Sequence, residues 1–185
     1  MGGGQAARHL FHARCAGFEV KPPRVFIALG ANLGDPAAQI RQALQDLKAS
    51  SVGPFRASSL WSSTPDDCPP GSPRFVNAVA EWTPAPSETP ENVLLFLQRL
   101  ERIYGRTRKQ EHNEARLIDL DLITWGNEIR ATPDLTLPHP RAHQRRFVLA
   151  PLVEIAPNLV LPGQVFPVRI LLDLAPEDPA LHRIS

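Results

Sequence analysis

Asp119 and Asp121 are the residues most able to do chemistry in this chain. They stand two apart in an otherwise apolar run, Leu117-Ile118-Asp119-Leu120-Asp121-Leu122-Ile123. In an extended strand, residues two apart point to the same face, with Cα atoms ~7 Å apart. Ile118, Leu120 and Leu122 then point the other way, into a core. Two carboxylates on one apolar strand repel unless a cation lies between them. Hard oxygen ligands of this kind suit magnesium, which completes its shell with water and substrate phosphate. The competing reading is an exposed strand face paired with nearby arginines, and a DxD on its own does not decide between them.

The flanking residues add weight. Arg106, Arg108, Lys109 and Arg116 place four cations within eleven residues, just ahead of the acidic pair. Phosphoryl transfer needs this combination: metal bridging phosphate oxygens, and guanidinium forks meeting the charge that shifts during transfer. A solvated basic loop is the bland alternative for the cluster taken alone. Elsewhere the signals are weaker. Gly30-Ala31-Asn32-Leu33-Gly34 does not match GxxxxGK[ST], nor does any other stretch, which argues against a P-loop kinase, and a plain strand-to-helix turn is the default. Asn77 lies in an apolar strand beside Phe75; its amide pairs either with backbone or with the edge of a flat heterocycle. His139 and His143 have a helical zinc spacing, but Pro138 and Pro140 forbid the helix.

The elements that must carry these residues follow from punctuation and periodicity. Residues 24–29 form a buried strand. Asp35 caps a helix that Pro36 opens, with Ile40, Leu44 and Leu47 on one face. Residues 58–63 form a second strand, and 64–73 a long loop rich in proline. Residues 75–83 alternate as a strand, with Val76, Ala78, Ala80 and Trp82 on one side and Phe75, Asn77, Val79 and Glu81 on the other. Thr89 and Pro90 start a helix that Gly105 stops, its core stripe being Val93, Leu97, Leu100 and Tyr104. A strand over 117–125 follows, then a short return strand at 128–130 and a helix over 147–155 with Pro151 as a blemish. A short strand at 159–161 and a small helix near 170–174 close the chain. The order predicts an α+β, ferredoxin-like α/β sandwich, with helices packed on one face of a mainly antiparallel sheet.

Composition bounds the rest. A chain of 185 residues fits one domain, assigned to 23–185, with residues 1–22 read as a disordered N-terminal extension. Lys plus Arg is 20 and Asp plus Glu 19, which gives no global attraction to nucleic acid or anionic membrane. No apolar run approaches the ~18 residues of a membrane span. The two cysteines, Cys15 and Cys68, build no disulfide framework and fit a reducing, cytoplasmic setting.

Six segments, in order, resemble the 6-hydroxymethyl-7,8-dihydropterin pyrophosphokinase family. They are FIALGANLGD at 26–35, STP at 63–65, FVNAVAE at 75–81, the run from Gln98 to Arg108, ARLIDLDLI at 115–123 and LPHPRAHQRRFVLAPLVEIAP at 137–157. The resemblance implies transfer of an intact pyrophosphate from ATP to the hydroxymethyl oxygen of the pterin, releasing AMP, in folate biosynthesis. It implies that Asp119 and Asp121 bind two magnesium ions and that Arg106 and Arg116 grip the moving phosphates. Arg108, Lys109, His139 and Arg145 become further phosphate contacts. Gln98, Glu101, Leu122 and Thr136 fall on the nucleotide side. Thr64, Pro65, Asn77 and Phe147 fall where the family holds the pterin, with Phe75 as a ring neighbour. The chain departs from the family at Asn113-Glu114-Ala115, where many members have Trp-Gly-Pro, and at Asp134, where some carry a base. The expected partners are small molecules only, taken up by a monomer. Two other classes remain open: another magnesium-dependent nucleotide enzyme such as a nucleotidyl- or glycosyltransferase, and a non-catalytic ligand-binding domain.

Overall fold

The structure, a computed structural model, describes residues 22–66, 68–69, 71–105 and 117–184. The N-terminal extension, except for its last residue, lies outside these residues, as do Arg106, Arg108, Lys109, Arg116 and the segment Asn113-Glu114-Ala115.

The chain runs β1 (Val25–Ala31), α1 (Pro36–Ser50), β2 (Arg56–Ala57), β3 (Leu60–Ser63), β4 (Phe75–Trp82), α2 (Pro90–Ile103), β5 (Asp119–Trp125), β6 (Arg130–Ala131), β7 (Thr136–Leu137), α3 (Arg146–Ile155), α4 (Val168–Leu174) and β8 (His182–Ile184). One six-stranded sheet has the order β5-β1-β4-β3-β8, with β2 beside β4, and its pairings are antiparallel. The sandwich expected from the sequence is therefore present.

Local chemistry explains both long helices. The Asp35 carboxylate accepts the Ala38 N–H at 3.0 Å, and the Thr89 hydroxyl accepts that of Asn92 at 3.3 Å. Each cap satisfies one of the otherwise orphaned N–H groups of the first turn, and a proline at the first helical position needs no such partner. Gly105 leaves α2 with φ +86°, a conformation that costs other residues their Cβ clearance. Ile40, Ala43 and Leu47 of α1, with Val93, Leu97 and Leu100 of α2, pack on Ile27, Leu29, Ala78, Ala80, Leu120 and Leu122.

The second face differs from the single-sided packing expected. Phe26, Ala28, Val79 and Ile123 are covered by Val148, Leu149 and Leu152 of α3 and by Val168 and Leu171 of α4. The reason lies in β1, whose apolar run does not alternate with polar residues, so both of its faces require cover. Two smaller expectations change as well. The return strand expected at 128–130 becomes β6, which pairs with β7 in a separate ribbon rather than with β5. The strand expected at 159–161 reduces to a single bridge between Val160 and Pro167. β8, at the far edge of the sheet, was not anticipated.

Candidate active site

Register across β4, β1 and the edge strand β5 assembles the site. Gly30 of β1 pairs with Asn77 on one side and Asp119 on the other, while Ala28 pairs with Val79 and Asp121. With strands about 4.8 Å apart, Asn77 and Asp119 stand roughly 10 Å apart across the floor of one cavity. That cavity has a volume of about 550 Å³. Only glycine or alanine in β1 leaves such a floor open. A Cβ on Gly30 would lie 3.5 Å from Asn77 Oδ1 and 3.9 Å from Phe75 Cδ1, in the space a ligand would use.

At the β4 end, Asn77 is 4% exposed, and its Nδ2 donates to Ser63 Oγ at 2.9 Å and reaches the Trp61 carbonyl at 3.4 Å. The amide plane is fixed by these bonds. Phe75 and Phe147 also line this end, giving flat apolar surfaces around one oriented amide. At the β5 end, Asp119 and Asp121 share the face opposite the buried Leu120 and Leu122, as the strand period requires. Glu101 of α2, only 6% exposed, accepts the Leu120 N–H at 2.8 Å, so it pins the strand midway between the two aspartates.

The segment after β7 crosses the end of β5, where the His139 N–H donates to the Ile123 carbonyl at 2.8 Å. His139 Nε2 then lies 4.0 Å from Asp121 Oδ2, while Nδ1 accepts the Arg141 N–H at 3.3 Å. Burial pushes the imidazole pKa down to about 4, and repulsion from Arg145 and Arg141 adds to this, against a smaller opposing pull from Asp119. The ring is neutral at pH 7. Because Nδ1 accepts, Nε2 carries the proton and faces the acidic pair. The Arg145 guanidinium stacks 5.3 Å over the Phe147 ring, with Nε 3.8 Å from Asp66 Oδ2. Burial and then the neighbouring Arg141 hold its pKa below the usual arginine value. Its buried Nε has no hydrogen-bond acceptor among the described residues.

Ten of the residues singled out in the sequence line this one cavity: Thr64, Phe75, Asn77, Gln98, Glu101, Asp119, Asp121, His139, Arg145 and Phe147. Three do not. The Leu122 side chain is buried in the core beneath the sheet. Thr136 is exposed on β7 opposite Ala131. Pro65 is not in the lining, although its neighbours Thr64 and Asp66 are. The sequence reading missed Gly30, Ser63, Asp66, Arg102 and Arg141. Small residues at alternate positions 28 and 30 of a buried strand were the available signal for the floor.

Among the described residues no three acidic, histidine or cysteine side chains cluster as a closed metal site. Two same-face carboxylates opening on a cavity fit a hard divalent cation that takes its remaining ligands from water and a bound anion.

Fold and cavity define the class: an α+β sandwich enzyme whose sheet floor holds a carboxylate pair at one end and an aromatic–amide slot at the other. The family model for 7,8-dihydro-6-hydroxymethylpterin-pyrophosphokinase matches residues 26–157, and the chain belongs to that family. The 2-amino-4-hydroxy-6-hydroxymethyldihydropteridine pyrophosphokinase of Haemophilus influenzae is 42% identical over 139 residues, 75% of this chain and 84% of that protein. The enzyme of the same name from Pseudomonas aeruginosa is 37% identical over 140 residues, again 75% and 84%. The wild-type Plasmodium falciparum HPPK-DHPS crystal structure superposes with a TM-score of 0.63 at 14% identity, over 85% of this chain and 42% of that longer chain. Identity that low supports the fold alone.

Proposed function

We infer that this protein is an ATP-dependent pyrophosphokinase that carries pyrophosphate from ATP to 6-hydroxymethyl-7,8-dihydropterin in folate biosynthesis. The hydroxymethyl oxygen bonds to the β-phosphorus of ATP and loses its proton to solvent. The bond from that phosphorus to the α-phosphate bridging oxygen breaks, giving AMP and the pterin diphosphate.

The observation that carries this reading is the register that sets Asn77 and Asp119 on opposite sides of Gly30 in one cavity. A flat heterocycle between Phe75 and Phe147, its edge on the Asn77 amide, would direct a substituent along the floor toward the carboxylate pair. Asp119 and Asp121 would hold two magnesium ions, which when bound neutralise phosphate charge and align the polyphosphate for in-line attack. The chain's own residues supply the rest. Neutral His139 offers its Nε2 proton to a phosphate oxygen. Arg145 offers the Nε that no described residue satisfies. Glu101 keeps the acidic strand in place. Arg106, Arg108, Lys109 and Arg116 complete the phosphate contacts in this proposal, and Gln98 lies on the nucleotide side. Positioning and electrostatics then suffice, without a base of unusual pKa. The proposal further includes a monomer that takes small-molecule substrates in the cytoplasm. No helix among the described residues is long and apolar enough to cross a membrane.

Thermal unfolding tests the reading. ATP should raise the melting temperature only when magnesium is present, and the pterin should add a further rise with a non-hydrolysable ATP analogue. Equal stabilisation by ATP in the presence of a metal chelator would overturn the carboxylate–metal assignment.

A further inference from the structure

Thr64, Asp66 and Cys68 line one wall of the cavity, and Thr64 and Arg74, on either side of that wall, are both held by residues far away in sequence. These are residues 175–184, which lie beyond the family match ending at 157. β8 pairs with β3 through Leu60 with Ile184, Trp61 with Arg183 and Ser62 with His182. Arg183 stacks 5.5 Å over the Trp61 ring and pairs with Glu154 of α3, which also accepts the Ser59 N–H at 2.6 Å. The C-terminal strand is therefore fixed to the sheet edge and to a helix together.

From that anchorage the chain reaches back to the cavity wall. Arg74 donates to Ser62 Oγ at 2.9 Å and to the Ala180 carbonyl at 2.5 Å. On the other side of the wall, Asp178 Oδ2 accepts the Thr64 N–H at 3.1 Å. The carboxylate is itself oriented, because Oδ1 accepts the Ala180 N–H at 3.0 Å. Slight burial works to raise the Asp178 pKa, but the bonds from Thr64 and Ala180 outweigh it, and the group stays below the usual carboxylate range. Thr64 lines the cavity, and the preceding residue, Ser63, holds the Asn77 amide at 2.9 Å. A line of contact thus runs Asp178, Thr64, Ser63, Asn77.

We propose that residues 175–184 act as a strap that sets the pterin end of the cavity, with Asp178 as the positioning residue for Thr64. This rests on the reading of that end as the pterin slot. Asp178 touches no substrate; it fixes the backbone from which Thr64 and Ser63 present their groups. The strap bonds Thr64 and Arg74 directly, whereas the His139–Arg145 segment meets this wall through the 3.8 Å pair of Arg145 with Asp66, so the strap acts first on the pterin end.

The test compares Asp178→Ala and Asp178→Asn with wild type, measuring affinity for the pterin and for a non-hydrolysable ATP analogue by calorimetry, and the urea midpoint. Loss of one charge-assisted bond corresponds to about a tenfold effect. Asp178→Ala should weaken pterin binding about tenfold and leave nucleotide binding within about twofold. Asp178→Asn, which keeps an acceptor oxygen, should recover most of the loss. The strap role is overturned if Asp178→Ala leaves pterin affinity unchanged, if both affinities fall together, or if the losses follow the urea midpoint. Wild-type protein that binds no pterin overturns the functional reading, and the strap's role with it.

Discussion

Replacing Asn77 with alanine should separate binding of the heterocycle from everything else the cavity does. The side chain makes one well-formed bond, Nδ2 to Ser63 Oγ at 2.9 Å, and a longer one to the Trp61 carbonyl at 3.4 Å. Losing them costs about 1–2 kcal/mol of stability. The vacated volume joins the existing cavity, so water fills it and no sealed void adds to the cost. For a domain of this size that is a fall in melting temperature of about 3–6 °C. The effect on the pterin is larger. Its edge groups would enter a desolvated slot without the amide partner, a loss of about 3 kcal/mol, or roughly 100-fold in affinity. ATP binding should hold within about twofold, since Asp119 lies across Gly30, roughly 10 Å away. Calorimetric titration with each ligand in turn measures both. A pterin loss below about fivefold, or an equal loss for the nucleotide, would refute the assignment of Asn77 as the heterocycle reader.

Other outcomes follow from neighbouring groups. Asp119→Asn and Asp121→Asn should each lower turnover by about 1000-fold or more with the fold retained; steady-state rates and thermal scans check this. His139 should titrate near 4 in NMR of the metal-free protein, and a midpoint above 6 would contradict its burial between Arg145 and Arg141. Its folded pKa lies below the ordinary imidazole value of 6.5, so the unfolded chain takes the proton first and stability falls as pH drops from 6.5 toward 4. His139→Gln should remove that part of the pH dependence. Gly105→Ala should cost about 1–2 kcal/mol, because φ is +86° and the new Cβ would lie 3.1 Å from Leu117 Cδ1; urea unfolding measures it.

Much of this was legible in the chain because local rules govern it. Asp35-Pro36 and Thr89-Pro90 mark helix starts by capping chemistry, Gly105 marks a stop, and alternation over 75–82 separates the core residues from Asn77. The two-residue spacing of Asp119 and Asp121 is enough to put them on one face. What was not legible depends on pairing between distant segments. No local signal sets Gly30 opposite both Asn77 and Asp119, since register is decided by tertiary packing. β8 is three residues long and carries no period to detect. Arg141 stands in a run with Arg145 and Arg146, and only the fold separates their fates. Arg141 and Arg145 line the cavity, whereas Arg146 donates to the Leu172 and Ala175 carbonyls near the end of α4. Leu122 and Thr136 entered as nucleotide-side residues through resemblance alone, and neither side chain lines the cavity.

Product analysis bears most directly on the pyrophosphokinase reading. Protein incubated with ATP, magnesium and 6-hydroxymethyl-7,8-dihydropterin should release AMP and the pterin diphosphate in equal amounts, resolved by nucleotide and pterin chromatography, with no AMP when the pterin is left out. Stoichiometric ADP with a pterin monophosphate would place the attack at the γ-phosphorus and contradict pyrophosphate transfer.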